Sequence, residues 1–209
     1  DLSFFVNALD SKTSGVDFVA SYRGVQAGNG SLTFNLSGNY TLQNERDGDV
    51  KNPAIVAAAG QTVLNRVNEA LFFTSRPKYK YILGVSYQAG KFGASLNNTL
   101  FGPTTFNNDG LDLGLYTEFD PKVVTDLGLT YKLGEKTTVA LNVNNILNVL
   151  PKWNFKANRG SESLLNDAEF LRSQSDLITF SNRYDVMTYD GYHFSQLGTI
   201  FNLTVNVQF

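Results

Sequence analysis

The chain has no cysteine among its 209 residues, which excludes a disulfide framework and any thiolate-bound metal. It has one histidine, His193, beside Asp190 and Tyr192. A lone imidazole without a clustered carboxylate pair is a poor metal ligand, and no Ser or Cys partner is placed to make a triad. The expectation is therefore no enzyme, with no catalytic residue, no metal and no cofactor. Charge is scarce too: Asp, Glu, Lys and Arg supply 17% of the residues, against about a quarter in an average chain. The formal net charge of −2 lacks the basic excess of a nucleic-acid binder. No apolar stretch approaches the length of about 18 residues that a spanning helix needs; the longest lies near "AIVAAAG" at 54–60. A helical membrane protein is excluded, but a membrane barrel is not, because its strands conceal half their hydrophobicity by alternation. The opening "DLSFF" has neither an initiator Met nor a signal peptide, as expected of a mature, trimmed or partial chain.

In place of charge stand Asn, Ser, Thr, Gln and Gly, with 16 Phe and 10 Tyr. The terminal "FNLTVNVQF" shows how they are arranged. Phe201, Leu203, Val205, Val207 and Phe209 alternate with Asn202, Thr204, Asn206 and Gln208, and successive side chains of a strand point to opposite faces. The same period of two runs through 16–23, 32–41, 81–88, 92–96, 123–132 and 139–144. Seven strands result, each long enough to cross a bilayer at a tilt. Short Gly-bearing hairpin turns at 25–30, 89–91 and 133–136 alternate with long polar connections at 43–78, 103–122 and 149–195. All the long loops thus fall at one end, as in an outer-membrane barrel with short periplasmic turns and long extracellular loops. The fold expected is all-β: an antiparallel transmembrane β-barrel segment in the outer membrane of a Gram-negative bacterium.

Aromatic residues agree with this. Tyr22, Tyr87, Phe92, Tyr131 and Phe209 stand at the turn end of their strands, and Tyr40, Tyr79, Tyr81 and Phe101 near the loop end. Two such rows resemble girdles at the two membrane interfaces. Asp17, Arg23, Asp126 and Lys132 share the opposite, polar face, which must then line a wet interior. Seven strands do not close a barrel, since single-chain bacterial barrels use an even number. The chain is therefore expected to be part of a longer one, with residues 1–209 belonging to a single barrel domain.

The run "NALDSKTSGVDFVASYR" at 7–23 resembles a strand of the TonB-dependent outer-membrane receptors, in which Thr-x-Gly-Val-Asp/Glu leads into an alternating stretch. "NNILNV" at 144–149 is similar to the family's Asn-Leu-Phe-Asp/Asn signature, departing from it at Ile146 and Leu147. The ending 201–209 resembles the terminal signal by which outer-membrane barrels reach the barrel-assembly machinery. The resemblance implies the last seven strands of a 22-stranded receptor whose plug and earlier strands lie outside this sequence. It also implies import of a scarce nutrient with TonB-coupled energy, an iron–siderophore being the first guess, with haem, cobalamin, a glycan or a peptide behind it. The partners implied are the lipid bilayer, the plug with its TonB contact, and a small-molecule ligand. A passive porin-like channel, or a small structural barrel with an eighth strand within 1–9, is the alternative.

Within the loops, Asn52 before Pro53 and Gly60 after "AIVAAA" mark a short helix, and "SESLLNDAEFLR" at 161–172 marks another. "FNNDGLD" at 106–112 has the flavour of a calcium loop but lacks the acidic spacing and the distal Glu; a type I′ turn at Asp109-Gly110 explains it better. Four Asn-x-Ser/Thr triplets, at Asn35, Asn39, Asn97 and Asn202, fall inside strands and read as part of the polar face. A loop of more than forty residues with structure of its own is usually functional. The candidate ligand contacts are Trp153, Phe155, Tyr184, Tyr189, Tyr192 and His193 in the last loop. The competing expectation is that its aromatics pack the loop on itself.

Overall fold

A computed structural model describes residues 6–179 and 194–208. Seven antiparallel strands form one sheet: β1 (Ser11–Ala27), β2 (Gly30–Arg46), β3 (Tyr79–Ala89), β4 (Phe92–Phe101), β7 (Lys122–Lys132), β8 (Thr137–Asn144) and β10 (Ile200–Val207), side by side in that order. These are the seven alternating segments. A second sheet, which alternation did not reveal, orders β5 (Thr104–Phe106), β6 (Leu115–Phe119) and β9 (Trp153–Ala157). Three helices complete the described chain: α1 (Ala54–Ala58), α2 (Arg66–Phe73) and α3 (Ala168–Ile178), the last preceded by a 3-10 turn at Glu162–Asn166.

The turns follow from their residues. Gly28 and Gly90 adopt positive φ of 58° and 52°, which lets two-residue loops join β1 to β2 and β3 to β4 with the twist that strand pairs require. At the opposite end the three long connections emerge together.

Register makes the sheet two-faced. One row across it reads Tyr22, Phe34, Val85, Leu96, Leu127, Val143 and Phe201, with each residue opposite the next. The neighbouring row continues with Leu32, Tyr87, Ala94, Leu129, Leu141 and Leu203. Many of these side chains are open to the surroundings, Leu203 at 70% and Phe201 at 69%. On this face Asn98 and Thr125 are polar, and they satisfy each other through a 2.8 Å hydrogen bond. The reverse face carries Ser21, Asn35, Gly84, Asn97 and Asp126 in one row. It is cross-linked by hydrogen bonds from Ser21 Oγ to Asn35 Oδ1 (2.7 Å) and from Asn39 Nδ2 to Asp17 Oδ1 (2.5 Å). The Asn-x-Ser/Thr triplets are thus strand residues.

Aromatic rings border the apolar face. Phe18, Tyr81, Tyr79 and Tyr40 form a chain of contacts at the loop end, with centroid separations of 5.9, 5.6 and 6.5 Å. Gly38 lies beneath it, and a Cβ there would fall 2.3 Å from the Tyr81 ring and 2.6 Å from Phe18. Phe92 and Tyr131 pair directly at the turn end. Phe101 departs from the expectation: it stands in register between Lys80 and Lys122 on the polar face, and Phe209 lies outside the described residues.

Two other local expectations change. Pro53 rather than Asn52 occupies the cap position of α1, while Asn52 Oδ1 accepts from the backbone N–H of Val63 at 2.9 Å; Gly60 ends the segment at φ 68° as expected. Only Gly110 of the Asp109-Gly110 pair has positive φ, so that turn is not type I′, which needs both. The sheet runs open from β1 to β10, with β10 paired to β8. No closed barrel forms among the described residues.

Candidate functional site

The long connections do not hang separately. The middle connection supplies β5 and β6, the last supplies β9 and α3, and the first supplies α2, which packs on β5. Leu111, Leu115, Phe119 and Ile178 form one buried cluster, against which Trp153, Phe155, Leu164, Phe170 and Leu171 pack. Val67, Ala70 and Phe106 form a second. Among the described residues, the most deeply buried side chains lie here rather than in the large sheet. The three loops therefore make one folded body above the end of the sheet.

Arg66, the first residue of α2, pins this body together. Its guanidinium donates to Leu115 O (2.8 Å), Asn107 Oδ1 (3.1 Å), Asp112 O (3.3 Å) and Leu111 O (3.4 Å). These are the oxygens of the calcium-like segment and its flank, so a guanidinium sits where a cation would have to go. Asn65 Oδ1 caps the helix by accepting from the N–H of Asn68 at 2.8 Å, a preferred N-cap role. Nearby, Glu162 accepts from the Gly160 backbone N–H; hydrogen bonds from the N–H groups of Glu162 and Gly160 hold its carboxyl below the usual range.

A knot joins β7, β8 and β10 at the same end. Asn145 and Asn148 both take left-handed φ, 52° and 51°, which asparagine tolerates better than most side-chain-bearing residues. The Asn145 side chain bonds both ways to the Val149 backbone, at 2.7 and 2.8 Å. Its own N–H donates to Asp126 Oδ1 at 2.7 Å and its carbonyl accepts from Thr199 Oγ1 at 2.7 Å. Asn148 Oδ1 accepts from the Thr199 N–H at 3.2 Å. Asn145 and Asn148, two of the three asparagines of "NNILNV", thus do the geometric work, whereas Ile146 and Leu147, where the motif departs, are exposed.

On the polar face beneath the loop body, Lys80 Nζ lies 5.0 Å from the centroid of the Phe101 ring. Phe194 stacks on that ring at 5.3 Å. A cavity of about 200 Å³ opens beside them, its wall including Thr99, Phe101, Val124, Asp126 and Phe194. Of the residues proposed from sequence, Trp153 and Phe155 meet edge-on at 5.2 Å and brace the loop core. Tyr184, Tyr189, Tyr192 and His193 lie outside the described residues. Sequence reading missed Arg66, whose partners lie 41 to 49 residues away, and missed the Lys80–Phe101–Lys122 row, which strand parity counted from Phe92 would have found. Among the described residues no group of three His, Asp or Glu side chains could hold a metal ion.

A family model described as "TonB dependent receptor-like, beta-barrel" matches residues 1–146, well over half of the chain. No curated protein and no solved structure matches.

Proposed function

This chain belongs to the TonB dependent receptor-like β-barrel family, a family of outer-membrane receptors of Gram-negative bacteria, and from that premise we propose that it forms part of the barrel wall of an active nutrient importer. The observation that carries this reading is the two-faced sheet: a continuous apolar face, much of it exposed, bordered by aromatic rings and backed by a hydrogen-bonded polar one. Lipid is the only solvent that accepts the first face at no cost, and Arg or Lys there would cost roughly 2–4 kcal/mol at mid-depth. The polar face lines the interior, the short turns lie in the periplasm and the loop body lies outside the cell.

The free edges of β1 and β10 need partners in lipid, because each unpaired backbone group there costs several kcal/mol. In this reading further strands of the same barrel cover them, residues 1–209 are the carboxy-terminal part of that one domain, and a plug outside this sequence contacts TonB. Phe201, Leu203, Val205, Val207 and Phe209 serve as the signal read by the barrel-assembly machinery. The loop body, with Tyr184, Tyr189, Tyr192 and His193 in its last segment, captures a small nutrient, with an iron–siderophore the first candidate. No residue has a catalytic role. The test is uptake in a Gram-negative host with and without TonB. Ligand accumulation that requires TonB supports the importer; accumulation that persists without it, with the protein in the outer membrane, supports a passive channel.

A further inference from the structure

The apolar face changes character above its loop-end aromatic row. Tyr40 and Tyr79 stand opposite each other in register, their rings stacked with centroids 6.5 Å apart. Arg76 and Lys78 come just before Tyr79 in the chain, so their backbones lie within about 10 Å of that row. Both residues are exposed. Lys12, Arg46, Lys51 and Lys156 form ion pairs, whereas Arg76 and Lys78 form none among the described residues. With Tyr40, Tyr79, Thr104 and Glu118 they wall a cavity of about 270 Å³. Glu118 is already 3.3 Å from Lys156 Nζ. A neighbouring cleft, also walled by Arg76 and Lys78, holds Glu45, which accepts from Gln43 Nε2 at 2.6 Å. Positive charge is thus in excess around Arg76 and Lys78.

Thr104 independently marks the cavity as a place for a polar group. It is 2% exposed, and its Oγ1 has no hydrogen-bond partner. Buried hydroxyls are normally satisfied, and leaving one unpaired is costly. A polar occupant of the cavity supplies the bond, directly or through one water. Alongside, Phe72 at the end of α2 is 59% exposed and borders a further open cleft together with Arg76. Asn44 Nδ2 donates to Phe72 O and Phe73 O, at 3.1 and 3.3 Å, and so fixes this helix end to β2. Phe194, by contrast, stacks on Phe101 on the opposite, polar face.

The succession towards the loop end is apolar rows, stacked tyrosines, then two unpaired cations beside an unsatisfied hydroxyl. In a bilayer that order matches hydrocarbon, interface and phosphate plane. Arg grips a phosphate as a fork and Lys as a point charge. We propose that Arg76, Lys78 and Thr104 form a site on the lipid side of the wall for the phosphate of an outer-leaflet lipid, whose acyl chains run down over Tyr40 and Tyr79. A membrane lipid fits better than a soluble anion because the tyrosines that border the apolar face also wall the cavity. This rests on the reading that the apolar face meets lipid.

The probe is dioleoyl phosphatidic acid, titrated into the purified full-length protein in a neutral sugar detergent and followed as bound lipid by native mass spectrometry. Dioleoylglycerol, the same lipid without its phosphate, is the neutral counterpart, and inorganic phosphate the soluble one. Wild-type protein should prefer phosphatidic acid to dioleoylglycerol by about tenfold or more, and Arg76→Gln/Lys78→Gln should remove that preference, as expected when close charge partners are lost. Thr104→Val should also weaken binding, yet raise the melting temperature of the lipid-free protein by deleting an unsatisfied hydroxyl. Lys12→Gln/Lys51→Gln removes the same formal charge from paired lysines at the same end and should leave affinity unchanged. An undiminished preference in the Arg76/Lys78 pair, an equal loss in the Lys12/Lys51 pair, unchanged affinity in Thr104→Val, or inorganic phosphate bound as tightly as the lipid would each overturn the site. All variants are first checked for heat-modifiable migration from outer membranes. Protein that inserts but shows no preference refutes only the lipid site, whereas protein absent from outer membranes refutes the barrel reading beneath it.

Discussion

Leu36→Arg and Ser37→Arg place the same charge at adjacent positions of β2, on opposite faces. Leu36 is 42% exposed on the apolar face, opposite Ala20 on β1 and Leu83 on β3. It lies four residues from Tyr40, in the loop-end aromatic chain, and four from Leu32, which is opposite Tyr87 at the turn end. Four residues span about 13 Å along a strand, or about 10 Å in height at a tilt near 40°. Leu36 therefore sits near the middle of an apolar band about 25 Å tall. Arginine there should cost the full mid-depth penalty of roughly 2–4 kcal/mol, a drop of about thirty-fold to nearly a thousand-fold in the ratio of folded to unfolded protein. In the barrel reading Ser37 faces the wet interior, so the cost there should be near zero. Urea titration of the refolded full-length protein in lipid vesicles, followed by heat-modifiable migration, measures both. Equal midpoint shifts in the two variants would refute the assignment of faces.

Other perturbations follow from the loop body and the knot. Arg66→Met removes four hydrogen bonds from the segment around residues 107–115. Charged hydrogen bonds contribute about 1.5–3 kcal/mol each when a partner is lost, so the loop body should become protease-sensitive while the barrel keeps its heat-modifiable mobility. Asn145→Ala loses both side-chain bonds to Val149 and keeps an unfavourable left-handed φ. A loss of about 2–3 kcal/mol is expected, and Asn145→Gly should recover the backbone part. Glu162 has its carboxyl lowered by backbone hydrogen bonds. Its contribution is therefore present above the pKa of the unfolded chain and lost as pH falls through the lower folded value. Proteolysis of the segment near residue 160 should quicken in acid, and Glu162→Gln should remove that dependence.

The large sheet was legible because its period of two is imposed by one uniform requirement, an apolar face against a polar one. Each hairpin was legible from its glycine. What escaped lies where that requirement stops. β5 and β6 are 3 and 5 residues long, too short for alternation to register, and they are buried in a loop core rather than at a two-solvent boundary. α2 carried a local signal in its Asn65 cap, but its eight residues sit inside a connection whose polar composition masked them. Phe101 shows a different failure: closeness to the loop end was taken for a girdle position, although its odd number sets it opposite Phe92, Ala94 and Leu96. Trp153 and Phe155 stood out in the sequence, and the structure places them against the core of the loop body.

These 209 residues hold no cysteine, so once any cysteine outside them is replaced by serine, one introduced thiol reports on the central claim directly. Leu113→Cys introduces a single thiol at an exposed position in the loop body, and Leu133→Cys places one in the turn between β7 and β8, where the native side chains are 76% and 60% exposed. Each variant of the full-length protein is treated on intact cells with a membrane-impermeant thiol reagent, and again after the outer membrane is opened. A barrel wall with its loop body outside predicts that position 113 is labelled on intact cells and position 133 only after opening. Equal labelling of both on intact cells, or labelling of 133 alone, would contradict it.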